Sequence, residues 1–247
     1  MEATLYVIPG SHPCAAAERA LELKGIPYER VDLLPLVHRI VQHRRFGGTT
    51  VPGAVLGDER VLGSMAIIRR LDELVPDPPL RPADPDARRE VDQAERWGDE
   101  VLQPIVRRLS WAVLQRAPGA MITYAEGAEL PVPARIATLG SGLTARLSSR
   151  VNGASDPAVR ADLANLPHHL DRVDRWIEHG VLGGPRPNAA DLQIGASLRL
   201  ALTFGDLAPV VDARPGGRLA REQFPRFPGH VPAGTLPSAW LPAAAAA

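Results

Sequence analysis

Residues 10–14 read Gly-Ser-His-Pro-Cys, and three of the five carry side chains able to do chemistry: the Ser11 hydroxyl, the His12 imidazole and the Cys14 thiol. The apolar residues 4–8 precede this turn, and residues 15–24 follow it without a helix breaker until Gly25. A strand that stops and a helix that starts at such a turn leave unpaired N–H donors and about half a positive charge beside Ser11. An anion such as a thiolate is stabilised there. The turn therefore fits chemistry by a thiol, Cys14, or by a hydroxyl, Ser11. It fits equally a plain helix start, with Ser11 or His12 as N-cap and Pro13 in the first turn.

Further along, Val51-Pro52 stands just before a hairpin pattern, where a cis proline would aim a backbone N–H and C=O at the same helix start. Ser64 opens another helical pattern and supplies a second end able to hold an anion. The other candidates favour structural readings. His168 and His169 are adjacent, so on a helix they point about 100° apart and cannot grip one metal. His230 lies in a turn, either on the surface or over the mouth of a site. Trp97, Trp111, Met121 and Tyr124 recur at helical spacing, which is more often core than pocket; Trp111 and Tyr124 are the two with a case for lining one.

The elements that must position these residues follow from periodicity. Residues 4–8 alternate as a strand, 13–24 carry Ala16, Ala20, Leu21 and Leu23 at helical spacing, and 28–33 read as a second strand. An irregular helix over 36–46 follows. A tight hairpin then has Gly57-Asp58-Glu59 as its turn, and Ser64 caps a helix whose apolar face is Ile67, Ile68, Leu71 and Leu74. Prolines between 75 and 86 mark a boundary. Beyond it the pattern is helical: 87–115 with a kink or break at Pro104, then 133–151, 156–179 interrupted by Pro167, and 188–204. Residues 206–242, rich in proline, glycine and arginine, read as a tail that either wraps the surface through Phe224, Phe227 and Trp240 or is partly mobile. The final alanines are expected to fray.

Composition narrows the function. Lys and Arg total 28 against 28 Asp and Glu, so no global field draws the 247-residue chain to nucleic acid or an anionic membrane, although a local basic patch is compatible with that balance. Small molecules or proteins are the expected partners. Lys24 is the one lysine, which reads as compositional bias rather than a device. A single cysteine excludes an intrachain disulfide and a multi-cysteine zinc site. The start of the sequence lacks a signal-peptide pattern, and no apolar run approaches the roughly 18 residues of a membrane span, so a cytoplasmic location is expected.

Residues 11–26, Thr49-Thr50-Val51-Pro52, residues 64–74 and the stretch 166–200 together resemble the glutathione transferase family, over residues 3–205. Within the last stretch, Asn188 and Asp191 have the spacing of a reciprocal capping box. The resemblance implies an α/β thioredoxin-like domain over 1–76, a linker over 77–86, an all-α domain over 87–205 and the tail over 206–247. It implies Ser11 as the catalytic residue, with His12, Cys14, Val51, Pro52, Gly63 and Ser64 at the thiol-binding site. Val51 would pair its backbone with the cysteinyl part of glutathione, and Ser64 would hold the γ-glutamyl carboxylate. Tyrosine-type members keep a tyrosine near the end of the first strand; Val7 takes that place here, and strand alternation turns Tyr6 to the opposite face.

Two departures accompany the likeness. Gly63 replaces the usual acidic residue before Ser64. Thr49 or Thr50 replaces the usual polar or basic residue before Val51. The glycyl carboxylate is thereby left to His38, His43, Arg44 or Arg45. The resemblance implies glutathione, or another low-molecular-weight thiol, as co-substrate, an apolar electrophile as its partner, no metal, and a homodimer. Cys14, one turn into its helix, favours a packed thiol over a redox one. The alternatives are a non-catalytic binding or scaffolding protein of the same fold, and a glutaredoxin-like reductase using Cys14.

Overall fold

The computed structural model describes residues 2–242. The alanine run expected to fray lies outside them. The N-terminal region is a four-stranded mixed sheet in the order β2-β1-β3-β4, built from β1 (Ala3–Val7), β2 (Tyr28–Asp32), β3 (Gly53–Leu56) and β4 (Glu59–Leu62). β1 pairs in parallel with β2 from Ala3 opposite Tyr28 to Val7 opposite Asp32, and antiparallel with β3. A two-residue turn joins β3 to β4. Gly57 sits there at φ +60°, so Glu59 belongs to the strand rather than the turn.

Helix α1 (His12–Leu23) connects the parallel strands and packs with α3 (Ser64–Leu74) on the face that carries Leu5 and Val7; all of Ala16, Ala17, Ala20 and Leu21 are buried. α2 (Val37–Phe46) covers the other face, where the Phe46 ring meets Tyr6 edge-on at 5.5 Å. In α3, Ile67, Ile68 and Leu71 are buried, but Leu74 is exposed, because the helix ends there as the chain leaves the sheet. Lys24, at the end of α1, is not a surface residue. Its ammonium donates to Asp72 Oδ1 at 2.7 Å, Val75 O at 2.7 Å and Pro78 O at 2.6 Å, joining α1 to the end of α3 and to the connector beyond it.

An acidic pair at the edge of this region carries a pH signature. Glu18 of α1 lies 3.2 Å from Arg30, which is 2.9 Å from Asp32. Burial pushes the Glu18 carboxyl up to about 7 against the pull of Arg30. Because the folded value lies above the unfolded 4.5, the cost of ionising Glu18 is absent below pH 4.5 and grows until pH passes 7. Urea unfolding at pH 5 and 7.5 is expected to show the wild type losing about 2 kcal/mol relative to Glu18→Gln over that interval. Parallel curves would contradict this.

After the connector the chain is helical: α4 (Pro85–Trp97), one π-helical turn (Gly98–Leu102), α5 (Gln103–Arg116), a 3-10 segment (Pro118–Ala125), α6 (Ala134–Ala137), α7 (Ser141–Val151), α8 (Asp156–Glu178) and α9 (Ala189–Ala201). The break near Pro104 takes the form of the π turn, just ahead of the proline. Gly98 is required there: a Cβ would lie 2.9 Å from the Ile194 side chain. Pro167 does not interrupt α8, whose buried Leu163, Leu166, Leu170 and Val173 hold the helix continuous on both sides of it. The single pattern read over 133–151 divides into α6 and α7.

Nearly every residue of α9 is buried, because α1, α4, α5 and the later α11 (Pro215–Gln223) all pack on it. Its start is held by the capping box: Asn188 Oδ1 accepts from the Ala190 and Asp191 amides, and Asp191 accepts from the Asn188 and Gly183 amides at 2.9 and 2.8 Å.

The segment after 205 is partly helical, with α10 (Ala208–Asp212) and α11. The remainder is fastened down by Phe224, which is buried, and by Asp206, which accepts from the Gly234 and Leu236 amides. Trp240 lies beneath the guanidinium groups of Arg116 and Arg160. No helix among the described residues is long and apolar enough to cross a membrane.

Candidate active site

The two halves enclose a cavity of about 180 Å³ between the start of α1, the approach to α2, the residues before β3, and α5. Ser11 stands at its α1 side. Its backbone is extended at the N-cap (φ −79°, ψ 117°), yet its side chain makes no capping bond. The hydroxyl lies instead within hydrogen-bonding reach of the Cys14 thiol of α1, so a plain capping role does not describe it. Pro13 has no N–H, so the amides of His12 and Cys14 carry the positive end of α1 beside that hydroxyl.

The structure brings Ser11, His12, Val51, Trp111 and Tyr124 together around this cavity. Val51-Pro52 is a cis peptide, and Pro52 O accepts from the Gly63 amide at 2.9 Å, which fastens the hairpin to the start of α3. Gly10, at φ +73°, lets the turn pass against Tyr124, where a Cβ would lie 2.5 Å from the ring. Gly229 flanks the same ring from the C-terminal segment. The Tyr124 hydroxyl is 2.7 Å from Thr203 Oγ1, and burial pushes it up to about 12. Tyr124 thus offers a ring to the cavity and no acidic proton. Tyr6 packs under α2 with Arg45 over its ring, away from the cavity.

Other expected members of the thiol site are not among the residues that line this cavity. Cys14 is 2% exposed in the core between α1 and the sheet, and burial pushes its thiol up to about 12. At neutral pH it is a protonated, shielded sulfur, which removes the nucleophile a reductase step would need. Ser64 is the first residue of α3, with Gly63 as N-cap; it is buried, and its hydroxyl sits 3.1 Å from both the oxygen and the nitrogen of the Gln193 side-chain amide. Its hydroxyl is therefore engaged across the domain boundary and absent from the cavity wall, because α9 crosses directly over the start of α3. Gly63 adds no side chain there. Trp97 meets Trp176 edge-on and His169 at a tilt in the helical core, while His168 and His230 are exposed.

His12 is buried, and burial, followed by the charge of Arg107, pulls it down to about 3, so its imidazole is neutral. Burial and then Arg39 pull His38 down to about 4. His38 lines the cavity; His43, Arg44 and Arg45 do not. Two charged lining residues escaped the sequence reading. Arg39 follows His38 at the rim. Arg107 precedes Trp111 by four residues, and the stripe Arg107, Ser110, Trp111, Leu114 is a single face of α5, a spacing visible in the sequence once Trp111 is taken as lining.

A thioredoxin-like sheet joined to a helical domain, with a serine at the cleft beside a helix start, defines the class. Residues 5–79 match the family described as glutathione S-transferase, N-terminal domain. Residues 5–79 are thus similar to that domain, and the chain has the fold of the glutathione transferases. Among solved structures it is similar to FzlA from C. crescentus, at 18% identity and a TM-score of 0.64, over 95% of this chain and 97% of that one. It is also similar to the β-etherase LigF from Sphingobium sp. strain SYK-6, at 20% identity and 0.62, over 91% and 99% of the two chains. A third is a glutathione S-transferase from Methylobacterium radiotolerans in complex with glutathione sulfonate, at 20% identity and 0.59, over 92% of each. No curated protein sequence matches the chain.

Proposed function

We propose that this protein is a glutathione-transferase-like enzyme that binds glutathione, or another low-molecular-weight thiol, and directs its sulfur at an apolar electrophile held against Trp111 and the Tyr124 ring. One observation carries the reading: Ser11, whose side chain makes no capping bond, lines the cavity at the positive end of α1. A hydroxyl donating to sulfur, together with that helix end, lowers the proton affinity of a bound thiol and raises the thiolate fraction near neutral pH. The thiolate then forms a carbon–sulfur bond as the leaving group departs with its electron pair. Val51, on the opposite wall, has the backbone to pair with the cysteinyl amide. A homodimer, a cytoplasmic location and a detoxifying role belong to the same proposal.

The second reading, a non-catalytic binding or scaffolding protein, is favoured by Ser64. Its hydroxyl is taken by Gln193 and Gly63 lacks a carboxylate, so the grip on a γ-glutamyl group is thin. A thermal-shift titration separates the two. Glutathione at ten times its dissociation constant is expected to add about 1.4 kcal/mol, a rise of ~3–6 °C for a chain of this size. No rise up to 20 mM glutathione favours the second reading or a different thiol.

A further inference from the structure

The cavity wall is electrostatically one-sided. Arg107 and Arg39 line it, and none of its lining residues is acidic. Arg107 is half-buried and forms no ion pair or side-chain hydrogen bond with another described residue. Asp99 is the carboxylate that acts on it through space, but Asp99 Oδ1 already accepts from Gln103 at 3.1 Å and from Gln193 at 3.3 Å. Ser110, on the same stripe, spends its hydroxyl on the Arg107 carbonyl. His12 and His38 are neutral neighbours and add no compensating charge.

A desolvated cation without a partner is costly, and the other arginines with buried carboxylates nearby are paired: Arg30 with Asp32, Arg69 with Glu95 and Arg108 with Asp162. Arg107 therefore presents an unfilled planar fork of donors, suited to a carboxylate or sulfate, on the same helix face as Trp111. Apolar walls from Leu114, Met121 and Leu200 surround it.

We infer that the electrophile is an anionic one, an apolar or aromatic body bearing a carboxylate or sulfate, and that Arg107 holds that anionic group. This rests on the transferase reading above and names the substrate class of the same cavity. Placed on the helical-domain wall, Arg107 acts on the second substrate rather than on the thiol.

The test uses two electrophiles that react alike, neutral 1-chloro-2,4-dinitrobenzene and anionic 4-chloro-3,5-dinitrobenzoate. In each, a carbon–sulfur bond forms, the carbon–chlorine bond breaks, chloride leaves with the bonding pair and the thiol proton passes to solvent. The quantity read is the ratio of kcat/KM, anionic over neutral, after division by the uncatalysed rates. Arg107→Met is expected to lower that ratio at least tenfold, mainly through KM for the benzoate, and Arg107→Gln, which retains polarity, to do the same. An equal loss on both electrophiles, or an unchanged ratio, overturns the inference.

A binding arm needs no turnover: unreactive 3,5-dinitrobenzoate is expected to raise the melting temperature of the wild type and to lose most of that rise in Arg107→Met and Arg107→Gln. Equal rises in all three proteins overturn the inference. If neither electrophile is turned over but this difference is present, the transferase reading fails and the anion site stands.

Discussion

Replacing Ser11 with alanine is expected to lower kcat/KM for thiol conjugation about a hundredfold, the usual cost of losing one hydrogen bond to a developing anion. The same change moves the rising limb of the pH–rate profile to higher pH by ~1–2 units, because a donor to the thiolate lowers the proton affinity of the bound sulfur and its loss raises it. Rates measured between pH 6 and 9 check both effects. The change removes no capping bond from α1. Cys14→Ser is the contrast: its sulfur is buried and protonated, so the profile keeps its midpoint. If Ser11→Ala leaves rate and profile untouched, the α1 amides alone support the anion and the serine has no part in the chemistry.

Lys24→Met is expected to cost about 3–5 kcal/mol of stability, the range found when one partner of a buried ion pair is removed. The ammonium holds three oxygens at 2.6–2.7 Å, and its loss leaves Asp72 and two backbone carbonyls short of a donor together. Lys24→Arg is not a rescue, because a planar guanidinium cannot point at three oxygens arranged around a tetrahedral nitrogen. Urea unfolding midpoints of the two variants measure the effect; a midpoint within experimental error of the wild type in either variant contradicts it. Burial opposes ionisation of Asp72, yet Lys24 and the Leu80 amide hold its carboxyl below the usual range. That contribution is complete above pH 3.8 and fades as the solution is acidified through the folded value.

The N-terminal fold was legible because its signals are local. Alternation over β1, the breaker-free run of α1 and Gly25 after it define a parallel β-α-β unit without reference to distant residues. Ser11 stood out for the same reason, being the boundary between two periodicities. The contact of Ser64 with Gln193 was not legible because that partner is 129 residues away, and nothing in residues 63–67 announces that α9 crosses there. Pro167 was given too much weight: the local cost of proline is outweighed by a continuous apolar face on either side. Arg107 was overlooked among many arginines, since its distinguishing property, the want of a carboxylate, exists only in three dimensions. Lys24 was dismissed on composition, whereas the geometry of three acceptors around one nitrogen explains why this position in particular is a lysine.

That geometry has a practical corollary. The chain owns one side-chain amine and one thiol, and both are sealed within the N-terminal domain: the Lys24 side chain has no exposed surface and Cys14 is 2% exposed. Acylating and alkylating reagents, aside from any attack on a terminal amine, must wait for that domain to open. The speed at which either residue is labelled therefore clocks the opening, with no tag or dye added to the molecule.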